Sequence, residues 1–152
     1  MQNLKALERK DRKRFLELLK AQFGFDGKLD YAFLTNNKNK IFIVNKEIVN
    51  IDLNNIRINT AGLYIAEFSN DEVRLSIEGS QIIGPKSSKS IIELDDKDAR
   101  AWMKGNDLQI DKDVQGFAII KNNNDYLGSG KVTSTKKVLN FVSKTRRLNV
   151  SD

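Results

Sequence analysis

The sequence predicts an α+β protein built from two small lobes. Three observations predict it. Residues 8–23 carry apolar side chains at helical spacing, the next segments alternate as strands joined by polar turns, and a strand–helix–strands unit of about sixty residues follows the sole proline. Helix and strand do not alternate regularly along the chain, which disfavours a parallel α/β fold.

The first helix is predicted over residues 8–23, and Gly24 stands where it would stop. Its apolar stripe consists of Phe15, Leu18, Leu19, Gln22 and Phe23. The preceding Leu4 and Leu7 either extend this stripe or belong to a short lead-in strand.

Strands are predicted next at residues 31–35 and 40–44, on either side of the polar turn 36–39. A second strand–turn–strand pattern covers residues 62–68 and 72–77. Apolar residues of mixed period lie between the two patterns, at Ile48, Ile51, Leu53, Ile56 and Ile58. Residues 79–89 are rich in Gly and Ser and contain Pro85, which indicates a boundary between lobes. We therefore expect one domain over residues 1–84 and another over residues 85–152.

The second lobe begins with a predicted strand at residues 91–94. Asp95 or Asp96 is the expected N-cap of a helix that runs through Met103 and ends at Gly105. Strands at residues 117–121 and 126–133 flank the turn 122–125, and residues 138–142 form a last strand that we expect to be buried.

The 152-residue chain contains no His and no Cys. Cys/His zinc sites, haem and iron–sulfur ligation, Cys nucleophiles and His-based acid–base catalysis are therefore excluded. We expect no cofactor and no bound metal. The apolar runs are far shorter than the ~20 residues that span a bilayer, and basic residues interrupt the amino terminus. We expect a soluble, cytoplasmic protein with no membrane partner.

The net charge of +6 is concentrated at the two ends of the chain. Residues 1–20 carry seven basic and three acidic groups, and residues 131–152 carry six basic groups and one acidic group. The residues between them have a net charge of −3. This asymmetry is typical of a polyanion-binding protein if the fold brings the ends onto one face. The alternative is a pair of solvated basic surfaces.

Two motifs of the sequence could indicate a nucleotide site or a metal site. Gly128-Ser129-Gly130-Lys131 resembles the end of a phosphate-binding loop, but Asp125 and Val132 occupy positions that need Gly and Ser or Thr. These glycines instead let a strand bend or bulge, or let another backbone come close. The acidic cluster that includes Asp95, Asp96 and Asp98 is explained better by helix capping than by a metal site. We therefore expect no enzymatic activity.

Trp102 has two interpretations. It either anchors the short helix to the sheet, which we favour, or provides a base-stacking surface for nucleic acid. The carboxyl-terminal basic residues flank the predicted strand 138–142, where they could hold fixed positions against phosphates. A solvated, frayed tail is the alternative.

The second half of the chain resembles a PUA domain, an RNA-binding module named after pseudouridine synthases and archaeosine transglycosylases. The matching segments are residues 92–105, 116–121 and 126–131, which resemble the first strand, the helix ending at Lys-Gly and the Leu-Gly-x-Gly hairpin of that family. Residues 62–68, 74–85 and 140–148 resemble a smaller group, the pre-PUA/PUA proteins related to Nip-type and archaeal Nol/Nop/Fmu-like ribosome-biogenesis proteins. The resemblance implies a pre-PUA-like amino-terminal lobe and a PUA-like mixed β-barrel with a short helix.

The resemblance also implies a non-catalytic accessory protein that binds structured ribosomal or transfer RNA in ribosome biogenesis or RNA modification. PUA domains use the short helix and the neighbouring glycine-rich loop, which corresponds here to Lys104, Gly105 and the region from Lys131 to Lys137. The charge pattern adds basic residues from both ends of the chain. The full set of predicted RNA-binding residues is Arg9, Arg12, Lys13, Lys104, Gly105, Lys131, Lys136, Lys137, Lys144, Arg146 and Arg147. The alternative function is a protein–protein adaptor that targets a separate RNA-modifying enzyme.

Overall fold

A computed structural model describes residues 4–49 and 62–148 of the chain. Its amino-terminal part contains five strands and three helices among the described residues. These are β1 (Lys5–Ala6), α1 (Arg9–Phe23), β2 (Ala32–Thr35), β3 (Lys40–Val44), α2 (Lys46–Val49), β4 (Leu63–Ser69), β5 (Glu72–Leu75) and α3 (Ile77–Ile83). The apolar residues of mixed period at positions 51–58 lie outside the described ranges.

The carboxyl-terminal part contains the remaining five strands and one further α-helix. These are β6 (Ile91–Glu93), α4 (Asp96–Met103), β7 (Leu108–Gln109), β8 (Gly116–Asn122), β9 (Asp125–Val132) and β10 (Lys137–Asn140). Two 3₁₀ turns, Gly84–Lys86 and Lys144–Arg146, follow α3 and β10. The α+β class is therefore confirmed.

The first sheet is an antiparallel meander in the order β1-β2-β3-β4-β5. Helix α1 begins at Arg9 and ends at Gly24, whose backbone is left-handed, as its sequence predicts. Its buried stripe packs against the sheet in a core with Ile65 and Val73. Of the two possibilities for the lead-in segment, the structure shows the short strand β1.

The second sheet has the order β6-β8-β9-β10-β7 and is curled into a half-barrel. Strand β6 runs parallel to β8, whereas the other pairs are antiparallel. Helix α4 packs into this curl through Trp102, which is fully buried. The Asp95 carboxylate accepts a hydrogen bond from the Asp98 N–H at 2.8 Å, so Asp95 is the N-cap.

Two predicted segments differ in the structure. The Gly/Ser-rich residues 79–89, expected to be a boundary loop, instead include most of α3 and the first 3₁₀ turn. Ser76 caps α3 by accepting from the Gly79 N–H, and burial of Ile77 and Ile83 offsets the poor helix propensity of this segment. The last strand ends at Asn140 and is buried on one side only, since Val138 faces the core while Phe141 beyond it is exposed.

Strand β8 joins the two sheets because each of its faces belongs to a different core. Ala118 and Ile120 face the half-barrel, whereas Ile119 packs in the core of the first sheet. The buried hydroxyl group of Ser129 links the neighbouring strand β9 to strand β5 of the first sheet. Ser129 Oγ accepts from the Leu75 N–H and donates to the Leu75 carbonyl, each at 2.9 Å. The domain boundary expected between residues 84 and 85 remains a prediction, and the parts of the chain on either side of it share buried contacts.

Candidate nucleic-acid interface

The loop between α4 and β7 brings together four of the predicted RNA-binding residues. Gly105 has a φ of +97°, and the guanidinium of Arg147 lies directly against it, 2.5 Å from where a Cβ would stand. The Arg147 Nε donates to the Val142 carbonyl at 3.0 Å. Lys104 is half-buried at the C-cap of α4. Lys137 Nζ lies 3.6 Å from a carboxylate oxygen of Asp107, at the other end of the loop.

Hydrogen bonds hold this loop in one conformation. The Asn140 side-chain amide donates to the carbonyls of Trp102 and Asn106, and the Asn140 N–H donates to the Asp107 carboxylate at 2.8 Å. The Leu148 N–H donates to the Met103 carbonyl at 2.8 Å. The tail is therefore attached to the end of α4 through residue 148. Up to that residue it is not the frayed tail of the alternative interpretation.

We call Lys104, Gly105, Lys137 and Arg147 the loop cluster. Lys136 is in the turn that precedes β10, with a φ of +64°, and its carbonyl accepts from the Ile110 N–H. Lys144 is exposed in the second 3₁₀ turn. Lys136 precedes Lys137 of the loop cluster in sequence, and Lys144 lies three residues before Arg147. We call the loop cluster and these two cations the carboxyl-terminal basic surface.

Lys131 and Arg146 lie at the junction with the first sheet. Lys131 Nζ is 3.5 Å from the Glu72 carboxylate and 5.3 Å from the centre of the Phe117 ring. Arg146 forms an ion pair with Glu78 of α3. Both cations thus have fixed partners, and they extend the basic surface toward the amino-terminal lobe.

The α1 residues form a separate group. Arg9, Arg12 and Lys13 line a groove of about 380 Å³ with Leu7 and Leu16. The Arg12 guanidinium lies 4.8 Å from the centre of the Phe33 ring, so this side of α1 is the side over β2.

The opposite side of α1 faces β5. There Arg14 pairs with Asp71 at 3.2 Å, and the Gln22 side chain exchanges two hydrogen bonds with the Val73 backbone. Strands β3 and β4 separate β2 from β5, a distance of roughly 14 Å at the usual strand spacing. The α1 group therefore lies on the β2 side of the helix, whereas Lys131 and Arg146 contact Glu72 of β5 and Glu78 of α3.

Trp102 cannot stack with nucleic acid, because none of its surface is exposed. Its indole N–H donates to the Leu127 carbonyl at 2.9 Å, which confirms the anchoring interpretation. Gly130 lets this anchor pack, since a Cβ there would lie 2.7 Å from the indole ring. A Cβ at Gly130 would also lie 2.9 Å from the Leu139 carbonyl oxygen, so the predicted close approach of another backbone is confirmed at Gly130, within β9.

Three functional candidates were missed in the sequence: Arg74, Phe117 and Phe141. Arg74 lies 4.6 Å from the centre of the Phe141 ring, whose centre is 6.1 Å from that of Phe117. Strand alternation could have found Arg74, since it separates the buried Val73 and Leu75. The same alternation from Val138 places Phe141 on the outer side.

The pKa of two groups is shifted in the described region. Burial raises the pKa of the Tyr64 hydroxyl, against the opposing effect of the nearby Arg74. A hydrogen bond from Lys46, followed by its positive charge, lowers the pKa of the exposed Asp30 carboxyl. Within residues 4–49 and 62–148, acidic side chains do not gather in threes or more as a metal-binding group. No described helix has the length and apolar character needed to cross a bilayer.

Comparisons with known proteins show what the second half of the chain and the overall fold are similar to. Residues 89–148 match the family model described as the methyltransferase RsmF PUA domain. The fold is similar to the crystal structure of a PUA domain from Aeropyrum pernix K1, solved as a tartrate complex. The TM-score is 0.55 at 14% identity, covering 90% of this chain and 74% of that one. The search among curated proteins gave no match.

Proposed function

We propose that this protein binds structured RNA as a non-catalytic accessory factor, because residues 89–148 match a PUA-domain family model. Ribosomal or transfer RNA is the proposed ligand, in ribosome biogenesis or RNA modification. The capacity to bind RNA follows from the domain type. The class of RNA and the pathway are part of the proposal.

The observation that carries the proposal is the loop cluster at the end of α4. Lys104 and Gly105, which are adjacent, meet Lys137 and Arg147 from more than thirty residues later at a hydrogen-bonded loop, and Arg147 is held by its own Nε contact. An arginine fixed through Nε still presents its two terminal nitrogens, which suit phosphate oxygens. Such contacts fix the position of an RNA backbone without reading its sequence.

A direct binding measurement tests the proposal. Purified protein would be titrated with transfer RNA, with a ribosomal RNA hairpin and with polyglutamate of equal charge, in a mobility-shift or anisotropy assay. We expect saturable binding to at least one RNA, weakened steeply by salt, and weaker binding to polyglutamate. Equal affinity for polyglutamate and RNA would contradict the proposal.

The groove on α1 favours a second candidate function, that of a protein adaptor. Its floor is aliphatic, from Leu7 and Leu16, and its rim is basic. Aliphatic side chains offer no stacking surface to a base, whereas they suit the apolar side of an acidic peptide. Preferential binding of polyglutamate, lost on replacement of Arg9 and Lys13, would favour this function instead.

A further inference from the structure

A cavity of about 110 Å³ lies at the junction of the two lobes, on the side away from α1. It is lined by both lobes, including Tyr64, Arg74, Glu78, Ser129, Phe141 and Arg146. Its volume is well below the roughly 300–1,000 Å³ of pockets that enclose a drug-sized ligand. It would therefore take one part of a larger ligand.

The apolar wall of the cavity is Phe141, which is 37% exposed. The ring is fixed between two neighbours, Phe117 at 6.1 Å and the Arg74 guanidinium at 4.6 Å between centres. A half-exposed aromatic ring held beside cations is the usual platform for stacking an unpaired base.

The polar wall carries two guanidinium groups from different lobes. Glu67 holds Arg74 at 2.7 Å, and Glu78 holds Arg146. A guanidinium has five N–H groups, more than one carboxylate engages, so both can also meet a phosphate oxygen. The lining itself holds these two guanidinium groups and one carboxylate, Glu78, while Glu67 pairs with Arg74 from outside the lining.

The cavity is continuous with the basic surface of the PUA domain. Arg146 faces the cavity, whereas its neighbour Arg147 lies against Gly105 in the loop cluster. An RNA strand that follows the tail would therefore meet the loop cluster first and the cavity next.

We propose that this junction cavity takes one unpaired nucleotide of the bound RNA, with its base against Phe141 and its phosphate toward Arg74 and Arg146. The proposal rests on the proposed RNA-binding function and adds a nucleotide site at the junction of the two lobes. It also assigns the amino-terminal lobe a direct part in recognition, through Arg74.

Two RNA probes test it: a blunt RNA hairpin, and the same hairpin with a 3′ single-stranded uridine extension carrying one 2-aminopurine. We expect the wild-type protein to bind the extended hairpin more tightly by roughly 5- to 100-fold, since one stacked base contributes ~1–3 kcal/mol. The 2-aminopurine fluorescence should change on binding. Phe141→Leu should abolish the preference and leave blunt-hairpin affinity unchanged, while Phe141→Trp should retain it.

Tyr31→Leu is the matched control, because Tyr31 is an aromatic residue of similar exposure, 36%, outside the cavity. It should leave the preference intact. Equal wild-type binding of both hairpins, or an unchanged preference in Phe141→Leu, would overturn the inference while the proposed function stands. Failure to bind either hairpin would overturn both. Arg74→Gln should reduce the preference without the loss of an aromatic ring, which covers the case that Phe141→Leu is unstable.

Discussion

The two basic ends of the chain are similar in composition but differ in structure. The amino-terminal cations Arg9, Arg12 and Lys13 follow one side of a helix beside an aliphatic groove. Most carboxyl-terminal cations instead have specific partners, such as Asp107 for Lys137 and Glu78 for Arg146. Charge counting treats both ends alike, whereas the fold positions the cations of one end much more closely than those of the other.

This difference suggests separate roles for the two ends. Positioned cations match a fixed arrangement of phosphates, because little side-chain entropy is lost on binding. Exposed cations such as Arg9 and Lys13 contribute a long-range attraction that salt screens over about 10 Å. We therefore expect the carboxyl-terminal surface to determine RNA affinity and the α1 group to modify it.

The largest effect is expected from removing both tail arginines. Arg146→Ala with Arg147→Ala should weaken RNA binding roughly 100-fold, since each charge-assisted phosphate contact contributes about 1.5 kcal/mol. The affinity for a ribosomal RNA hairpin in a mobility-shift assay measures this.

The control for this variant separates RNA contact from the ion pair between lobes. Glu78→Gln breaks the same ion pair but leaves Arg146 in place. We expect Glu78→Gln to bind RNA as tightly as the wild type. Equal losses in the two variants would indicate that Arg146 acts only by joining the lobes.

A smaller loss is expected from Gly105→Ala, which changes no charge. The new Cβ would displace the Arg147 guanidinium, and a φ of +97° is strained for alanine. RNA affinity should fall roughly 5- to 10-fold, the worth of one displaced contact. Gly116→Ala is the matched control, because Gly116 has a φ of +77° with open space around it. If both variants bind RNA equally, the positioning of Arg147 is unimportant.

A loss of no more than about threefold is expected from Arg9→Ala with Lys13→Ala at physiological salt. The variant removes two charges, as the tail variant does, so charge number is matched. A loss as large as that of the tail variant would remove the distinction between the two ends.

The slope of log K against log salt should distinguish the tail variant, Arg146→Ala with Arg147→Ala, from the α1 variant, Arg9→Ala with Lys13→Ala. Loss of two phosphate contacts by the tail variant should lower the slope of log K against log salt by about 1.8 on a duplex. The α1 variant should keep nearly the wild-type slope. Anisotropy titrations between low and high salt measure both, and matching slopes would contradict the assignment of phosphate contacts.

The local elements were predictable where sequence and tertiary packing agree. Helix α1 combines a clear apolar stripe with Gly24 at its end, and α4 combines Asp95 at its start with a central Trp102. Helix α3 was missed because Gly79, Ser80 and Gly84 are poor helix formers. It forms because Ser76 caps it and its apolar side is buried between the lobes, neither of which local propensity reveals.

The residues proposed for the site could be named from the sequence, whereas their spatial arrangement could not. The resemblance to PUA domains indicated Lys104 and Gly105, and charge indicated Arg146 and Arg147. Arg147 packs on Gly105, whereas its neighbour Arg146 pairs with Glu78 of the other lobe. These tertiary contacts cannot be read from the sequence. Strand alternation could place Arg74 and Phe141 on outer sides of their strands, but it could not show that the two side chains meet at the junction of the lobes.

The most direct test of the account is photocrosslinking of the wild-type protein to a 4-thiouridine RNA hairpin, followed by identification of the crosslinked peptides. We predict that crosslinks concentrate in residues 102–107 and 131–148, with few in residues 9–20. Crosslinks confined to residues 9–20 would contradict the claim that the positioned carboxyl-terminal cations form the RNA-binding surface.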